Sequence, residues 1–360
     1  MSSWALGGEG GPFGPEEAQW RVQLHVLLTG HTGFKGAWFV MLLKTLGHDV
    51  SGIALNPQPE SLYSRSAVSE LVKHDMHVDI RDADSFARAI DGVNPDFAVH
   101  FAAQALVKPS YADPLFTFET NTNGTLNFLA STQGINGLQG RLVITSDKVY
   151  RNDHRRGSYS ESDPLGGRDP YSASKAMADI LAQSWFASFE GIPSAIARAG
   201  NVIGGGDSAE YRIVPDIIEA IASSQPLTLR YPNAVRPWQH VLDCLAGYRA
   251  IIESLSGFQP RVAWNVGPGE ANSVPVRELV NHFSDSWGSP CEVDSTSEVL
   301  VHEEALLTLD SSALRDATGW ENRLGFEETV EWTVDWEKSV RSGESPRSAS
   351  MRQIETFLSL

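Results

Sequence analysis

The chain has 360 residues, is 41% hydrophobic and 20% charged, and carries a formal net charge of −17. It is long enough for a large core, and its acidity argues against nucleic acid as a partner, because binding a polyanion calls for a basic face. An anionic small molecule stays compatible, since a few local arginines can hold a diphosphate inside an acidic protein.

Residues 1–20 are rich in Gly, Pro and Glu with no apolar period, which predicts a flexible tail. They lack the basic-then-apolar order of a secretory leader. No apolar run reaches the ~20 residues of a membrane-crossing helix. Cys244 and Cys291 are far apart and form neither a disulfide framework nor a metal cluster. The expectation is a cytoplasmic protein with no membrane and no metal.

A first strand, Leu24–Thr29, runs into Gly30-His31-Thr32-Gly33-Phe34-Lys35-Gly36, and a helix follows from about Gly36 to Leu46, where Gly47 stops it. Three glycines three apart between a strand and a helix suit a dinucleotide's pyrophosphate. Glycine permits the tight turn, and the helix N-terminus offers free N–H groups to the negative charge. The spacing is G-x-x-G-x-x-G rather than G-x-G-x-x-G, and taken alone it also fits a turn with no ligand.

Further strands are predicted over Asp49–Leu55, His74–Val78, Asp96–Phe101, Arg141–Thr145 and Ser194–Arg198. Helices are predicted over Asp82–Ile90, Pro114–Ser131 and Tyr171–Phe189. Strands alternating with helices, the strands nearly all apolar, mean a parallel sheet covered on both faces. The fold class is therefore α/β, a Rossmann-type doubly wound parallel sheet over residues 21–200. From Asn201 the rhythm changes to helices, Pro-rich turns and short strands. Residues 201–360 are read mainly as a smaller, mixed α/β substrate lobe, with one strand returning to the sheet near 262–267. The Ser/Arg-rich stretch from Arg341 to Ser350 is expected to fray.

Tyr171 and Lys175 stand four apart on one helix face. A phenol with pKa ~10 is a poor base at neutral pH, and a nearby ammonium favours its phenolate. Such a phenolate can take a hydroxyl proton while hydride leaves the same carbon. A Y-x-x-x-K pair alone is better read as a surface Tyr and Lys. Downstream of a Gly-rich strand–turn–helix, and preceded by Ser146 at a strand end, it reads as catalytic.

The glycine fingerprint and the Ser146, Tyr171, Lys175 trio resemble the extended short-chain dehydrogenase/reductase superfamily. Narrower runs are similar to the CDP-glucose 4,6-dehydratases of its nucleotide-sugar branch. These are Thr29 to Gly36, Ile144-Thr145-Ser146-Asp147-Lys148-Val149-Tyr150, Asp169 to Lys175, Arg198 to Asp207, Val235 to Val241 and Trp264 to Pro268.

The resemblance implies an internal redox cycle on a nucleotide sugar: oxidation at carbon 4, water loss across carbons 5 and 6, and reduction at carbon 6. Ser146 would hydrogen-bond the reacting hydroxyl, Tyr171 would take its proton, and Lys175 would support the phenolate. Asp147 is the candidate acid for the leaving hydroxide. Lys148 is the candidate base at carbon 5, or a cation stabilising the enolate. The cofactor set is Gly30, Thr32, Gly33, Phe34, Lys35, Gly36, Asp79, Ile80, Ala102, Ala103, Gln104, Asn121, Tyr171 and Lys175. In it, Asp79 would accept from the adenine amino group, with a helix N-cap as its plainer reading. Asn201, Arg212 and Arg236 are the substrate candidates, guanidinium forks being suited to a diphosphate. His302-Glu303 resembles a family segment near the nucleotide. Trp238 and Trp264 read as core. Superfamily members pair the 114–131 and 171–189 helices, which implies a homodimer.

NAD as cofactor follows from the resemblance rather than from local residues. Asn56 holds the place where an acidic residue usually binds the adenosine ribose, and Lys35 could meet the extra phosphate of NADP, which keeps NADP open. Ser208 and Ser312 depart from the family pattern in the lobe. The alternatives are a 4-epimerase, a dehydratase of another nucleotide sugar, or a non-catalytic dinucleotide-sensing protein.

Overall fold

Seven parallel strands run side by side in the order Ala263–Val266, Ser194–Ala199, Gly140–Ile144, Phe97–His100, His25–Thr29, Asp49–Ala54, His74–His77. The computed structural model describes residues 23–152, 157–229, 231–255, 262–269, 272–295 and 307–360. The flexible-tail reading of residues 1–20 and the His302-Glu303 segment lie outside them.

Alternate strand residues feed two cores, as a sheet covered on both faces requires. Val26, Leu28, Val99, Leu142 and Ala197 face one core, and Leu27, Ala98, Val143 and Ile196 face the other. The strand order reverses direction beside His25–Thr29, and the crevice at such a reversal is where open α/β sheets bind ligands. The returning strand, Ala263–Val266, pairs in parallel with Ser194–Ala199 at the sheet's edge.

Two helical expectations change. The helix predicted over 114–131 starts and ends close to expectation but opens into a π-helical turn at Glu119–Asn123. Such turns often sit at functional sites, and this one holds Asn121. The stretch from Arg341 to Ser350 does not fray. Ser345 caps a helix, Pro346–Ser359, by accepting from the Ser348 backbone N–H. That helix buries Ala349, Ile354 and Phe357 in the first core. Arg347 donates to the backbone oxygens of Ser66 and Ala67, and Ser350 accepts from the Trp336 indole at 2.9 Å. Polar composition hid an amphipathic helix.

A second apolar cluster, built on Ile217, Trp238, Leu279, Phe283 and Val330, holds together the helices Ile213–Ser223, Val276–Trp287 and Phe326–Arg341. Three two-stranded pairs, two parallel and one antiparallel, complete this mixed region. The helix Val241–Ser254 packs on the first core instead, through Leu242, Leu245 and Tyr248.

Candidate active site

The first strand ends in a turn that only glycine can make cheaply. Gly30 has φ 74°, and a Cβ there would lie 2.6 Å from the Ala102 backbone N. The helix Phe34–Thr45 follows with no side chain capping its N-terminus. Its first amides are left for an anion.

This cradle forms one end of a cavity of about 670 Å³. Gly30, Thr32, Gly33, Phe34, Lys35 and Gly36 line it, with Asp79, Ile80, Ala102, Ala103 and Gln104 beside them. Ser146, Asp147, Lys148, Tyr171 and Lys175 line it too, together with Asn201, Arg212 and Arg236. The cavity thus gathers every candidate catalytic, cofactor and substrate residue except Asn121. Asn121 acts from behind: its Oδ1 accepts from the Gln104 N–H at 2.8 Å, and its Nδ2 donates to the Gln104 carbonyl at 3.0 Å and to Ser174 Oγ at 2.9 Å. It staples the loop after the fourth strand to the helix Pro170–Ser188.

That helix starts at Asp169, whose carboxylate accepts from the Ser172 N–H. It presents Tyr171 and Lys175 to the cavity. Lys175 Nζ donates to the Ile144 carbonyl at 3.0 Å, against the end of the fifth strand. Burial lowers Lys175 to about 7, with Lys35 adding to the fall and Asp179 opposing it. Burial pushes Tyr171 up to about 12, while a hydrogen bond with Ser146 pulls the other way and Asp147 adds to the rise. Ser146 Oγ donates to Asp147 Oδ1 at 2.9 Å and accepts from the Lys148 N–H at 3.2 Å. Hydroxyl and carboxyl are bonded to each other, and the phenol shares their cavity.

Three buried polar atoms of residues lining the cavity have no protein partner: Thr120 Oγ1, Asp147 Oδ2 and Asn201 Nδ2. Unmet polarity in a cavity is what a polar ligand fills. Gly200 leaves space for the carboxyl, since a Cβ there would lie 2.7 Å from Asp147 Oδ2.

The remaining predicted residues are placed as follows. Asp79 accepts from Arg81 Nη2 at 2.6 Å, and this contact lowers its pKa. The N-cap of the helix Ala83–Ile90 is Asp82, so the plainer reading of Asp79 does not hold. Lys35 Nζ donates to the Tyr248 hydroxyl at 3.2 Å. Arg212 lies 3.7 Å from Asp207, and Arg236 is buried with one donor on its neighbour's carbonyl, Val235 O, at 2.8 Å. Trp238 and Trp264 are buried.

Sequence reading missed Lys108 and Tyr211, which line the same cavity. The Lys108 ammonium lies 4.0 Å from the centroid of the Tyr211 ring. Tyr211 has φ 63°, a costly conformation for a bulky residue and one that clusters at functional sites. Their only signal in sequence was adjacency, Lys108 after Ala102–Gln104 and Tyr211 before Arg212. Among the described residues, no helix is long and apolar enough to cross a membrane.

Comparison with known proteins agrees with this geometry. The pattern of the NAD dependent epimerase/dehydratase family matches residues 26–267. The chain is 36% identical to the CDP-glucose 4,6-dehydratase of Salmonella typhimurium, over 93% of this chain and 96% of that one. It is 25% identical to a probable dTDP-glucose 4,6-dehydratase of Sinorhizobium fredii, over 87% and 92%. Among solved structures, DesIV, a dTDP-glucose 4,6-dehydratase of Streptomyces venezuelae with NAD and TYD bound, superposes with a TM-score of 0.77 at 26% identity, covering 90% of this chain and 100% of that one. A UDP-glucuronic acid 4-epimerase of Bacillus cereus shares the fold, with a TM-score of 0.77 at 21% identity, covering 88% and 100%.

Proposed function

The chain belongs to the NAD dependent epimerase/dehydratase family, and from that premise we propose that it is a nucleotide-sugar 4,6-dehydratase acting on CDP-glucose. The observation that carries this reading is the gathering of Tyr171, Ser146 and Asp147 on one cavity, with Ser146 bonded to Asp147 and a buried carboxyl oxygen left over.

NAD suits the glycine cradle and, when bound, supplies the hydride acceptor for carbon 4 and the donor for carbon 6. The Phe34–Thr45 helix N-terminus would hold its pyrophosphate, and Asp79 its adenine. Tyr171 takes the proton of the carbon 4 hydroxyl while Ser146 orients that hydroxyl. The 4-ketone acidifies carbon 5, whose proton Lys148 removes or whose enolate it stabilises. Asp147 gives a proton to the hydroxide leaving carbon 6, so water departs, and a proton later returns to carbon 5. Asn201, Arg212 and Arg236 hold the nucleoside diphosphate.

A 4-epimerase has no leaving hydroxide and no use for an acid at Asp147. A dinucleotide sensor has no use for a buried Tyr171 and Lys175. The test is incubation with CDP-glucose, dTDP-glucose and GDP-mannose, followed by alkali to reveal a 4-keto product. We expect it from CDP-glucose, and no ketone from any of the three would remove the dehydratase reading. Asp147→Asn should retain oxidation at carbon 4 and lose water elimination about a hundredfold. Full turnover in that variant would reduce Asp147 to a structural role.

The protein is further read as a cytoplasmic homodimer. Leu115, Met177 and Ile180 expose apolar side chains on the paired helices 114–133 and 170–188, a face suited to a second copy. A sedimentation mass of one chain would refute it.

A further inference from the structure

Directly behind the catalytic wall lies a buried charge pair, Asp179 and Arg198, neither of which lines the cavity. Asp179 stands one turn beyond Lys175 on the helix Pro170–Ser188, and both it and Arg198 are buried. Asp179 Oδ1 accepts from Arg198 Nη2 and from Gln183 Nε2, each at 2.7 Å. Its Oδ2 accepts from Arg198 Nε and from Thr145 Oγ1, each at 2.9 Å. Arg198 Nη1 donates to the Tyr150 hydroxyl at 3.0 Å, and that hydroxyl donates to Asn265 Oδ1 at 2.6 Å.

Three of these groups lie within a few residues of a candidate site residue in sequence. Thr145 precedes Ser146. Tyr150 closes the turn Asp147–Val149. Arg198 leads through Ala199 to Gly200 and Asn201. A buried ion pair is a weak source of stability, because desolvation offsets its attraction. Its placement where four catalytic carriers meet calls for another explanation. Building on the proposed function, we propose that Asp179, locked by Arg198, is the positioning residue that sets the mutual geometry of Ser146, Asp147, Tyr171 and Lys175 and supplies the negative charge behind Lys175.

The charged and titratable groups facing Lys175 agree with this role. Lys35 approaches from the helix Phe34–Thr45 and opposes the ammonium, while His100, from the fourth strand, is pushed down to about 3 by burial and is neutral. Asp179 supports the ammonium.

The test compares the full-length protein with Asp179→Asn and Thr145→Val. In Asp179→Asn, kcat for CDP-glucose should fall about a hundredfold with KM within about threefold, as expected when reacting groups are misplaced rather than binding lost. In Thr145→Val the fall should be about tenfold. Competitive labelling of Lys175 with acetic anhydride, read by mass spectrometry across pH, should show a midpoint near 7 in the parent and about one unit lower in Asp179→Asn. A lower melting temperature alone, with kcat and the labelling midpoint unmoved, would overturn the proposal. If Asp179→Asn does not fold, an unchanged kcat in Thr145→Val overturns it. If the parent forms no 4-keto product, the dehydratase reading fails, and the labelling midpoint still decides the role of Asp179.

Discussion

Along one face of the helix Pro170–Ser188, one turn apart, stand two polar clusters that are built on opposite terms. In the inner one, Asp179 and Arg198 are buried and richly partnered, the carboxylate accepting four hydrogen bonds. On the cavity side, Asp147 and Asn201 each keep a buried atom without a partner, and Lys175 holds a desolvated ammonium against one carbonyl. The inner cluster fixes geometry. The outer one carries unmet polarity at a cost in stability, as a site made for a ligand does. Removing a charge should therefore act in opposite directions on the two.

The sharpest contrast uses function. Tyr171→Phe removes only a hydroxyl from the outer cluster and should lower turnover by roughly 10²–10⁴ while leaving the melting temperature level or higher. Assay and calorimetry on one preparation check both halves, and a destabilised protein would break the contrast. Next comes Asp179→Ala, which strands the Arg198 guanidinium in the core and should cost about 3–5 kcal/mol in denaturant unfolding. A loss under about 1 kcal/mol would place the inner cluster among weakly coupled pairs. The smallest effect is Lys175→Met. Burial depresses the lysine to about 7 in the folded chain against an ordinary 10.5. The penalty is thus full below pH 7 and is relieved as pH rises towards the unfolded value. The variant should melt about 2 °C or more above the parent at pH 6, with the gain shrinking by pH 10. A gain independent of pH would trace to packing.

Much of this was legible in the residues. The alternation of strands and helices marked all seven sheet strands, most of them buried on both faces, with the exposed His74–His77 at the sheet's edge the exception, and Gly30, Gly33 and Gly36 announced the turn they make. The outer cluster was legible through motif spacing, since Tyr171 and Lys175 share a helix face and Ser146 ends a strand. The inner cluster was not. Arg198 sits in a strand that otherwise reads as apolar, and Asp179 looks like any helical carboxylate. Only three-dimensional adjacency reveals that they meet. Local composition misled at Arg341–Ser350, where serines and arginines cap and anchor a helix whose apolar residues come later. Nor was the partner of Lys35 legible, because the Tyr248 hydroxyl it donates to lies far along the chain.

The docking of the Pro346–Ser359 helix reaches back to the chain's own synthesis. Its Ile354 and Phe357 complete the core that Trp38 and Phe39 began some three hundred residues earlier. A ribosome delivers roughly 5–20 residues each second, so the segment around Trp38 and Phe39 waits tens of seconds, its apolar surface open to chaperones, before that helix emerges to cover it.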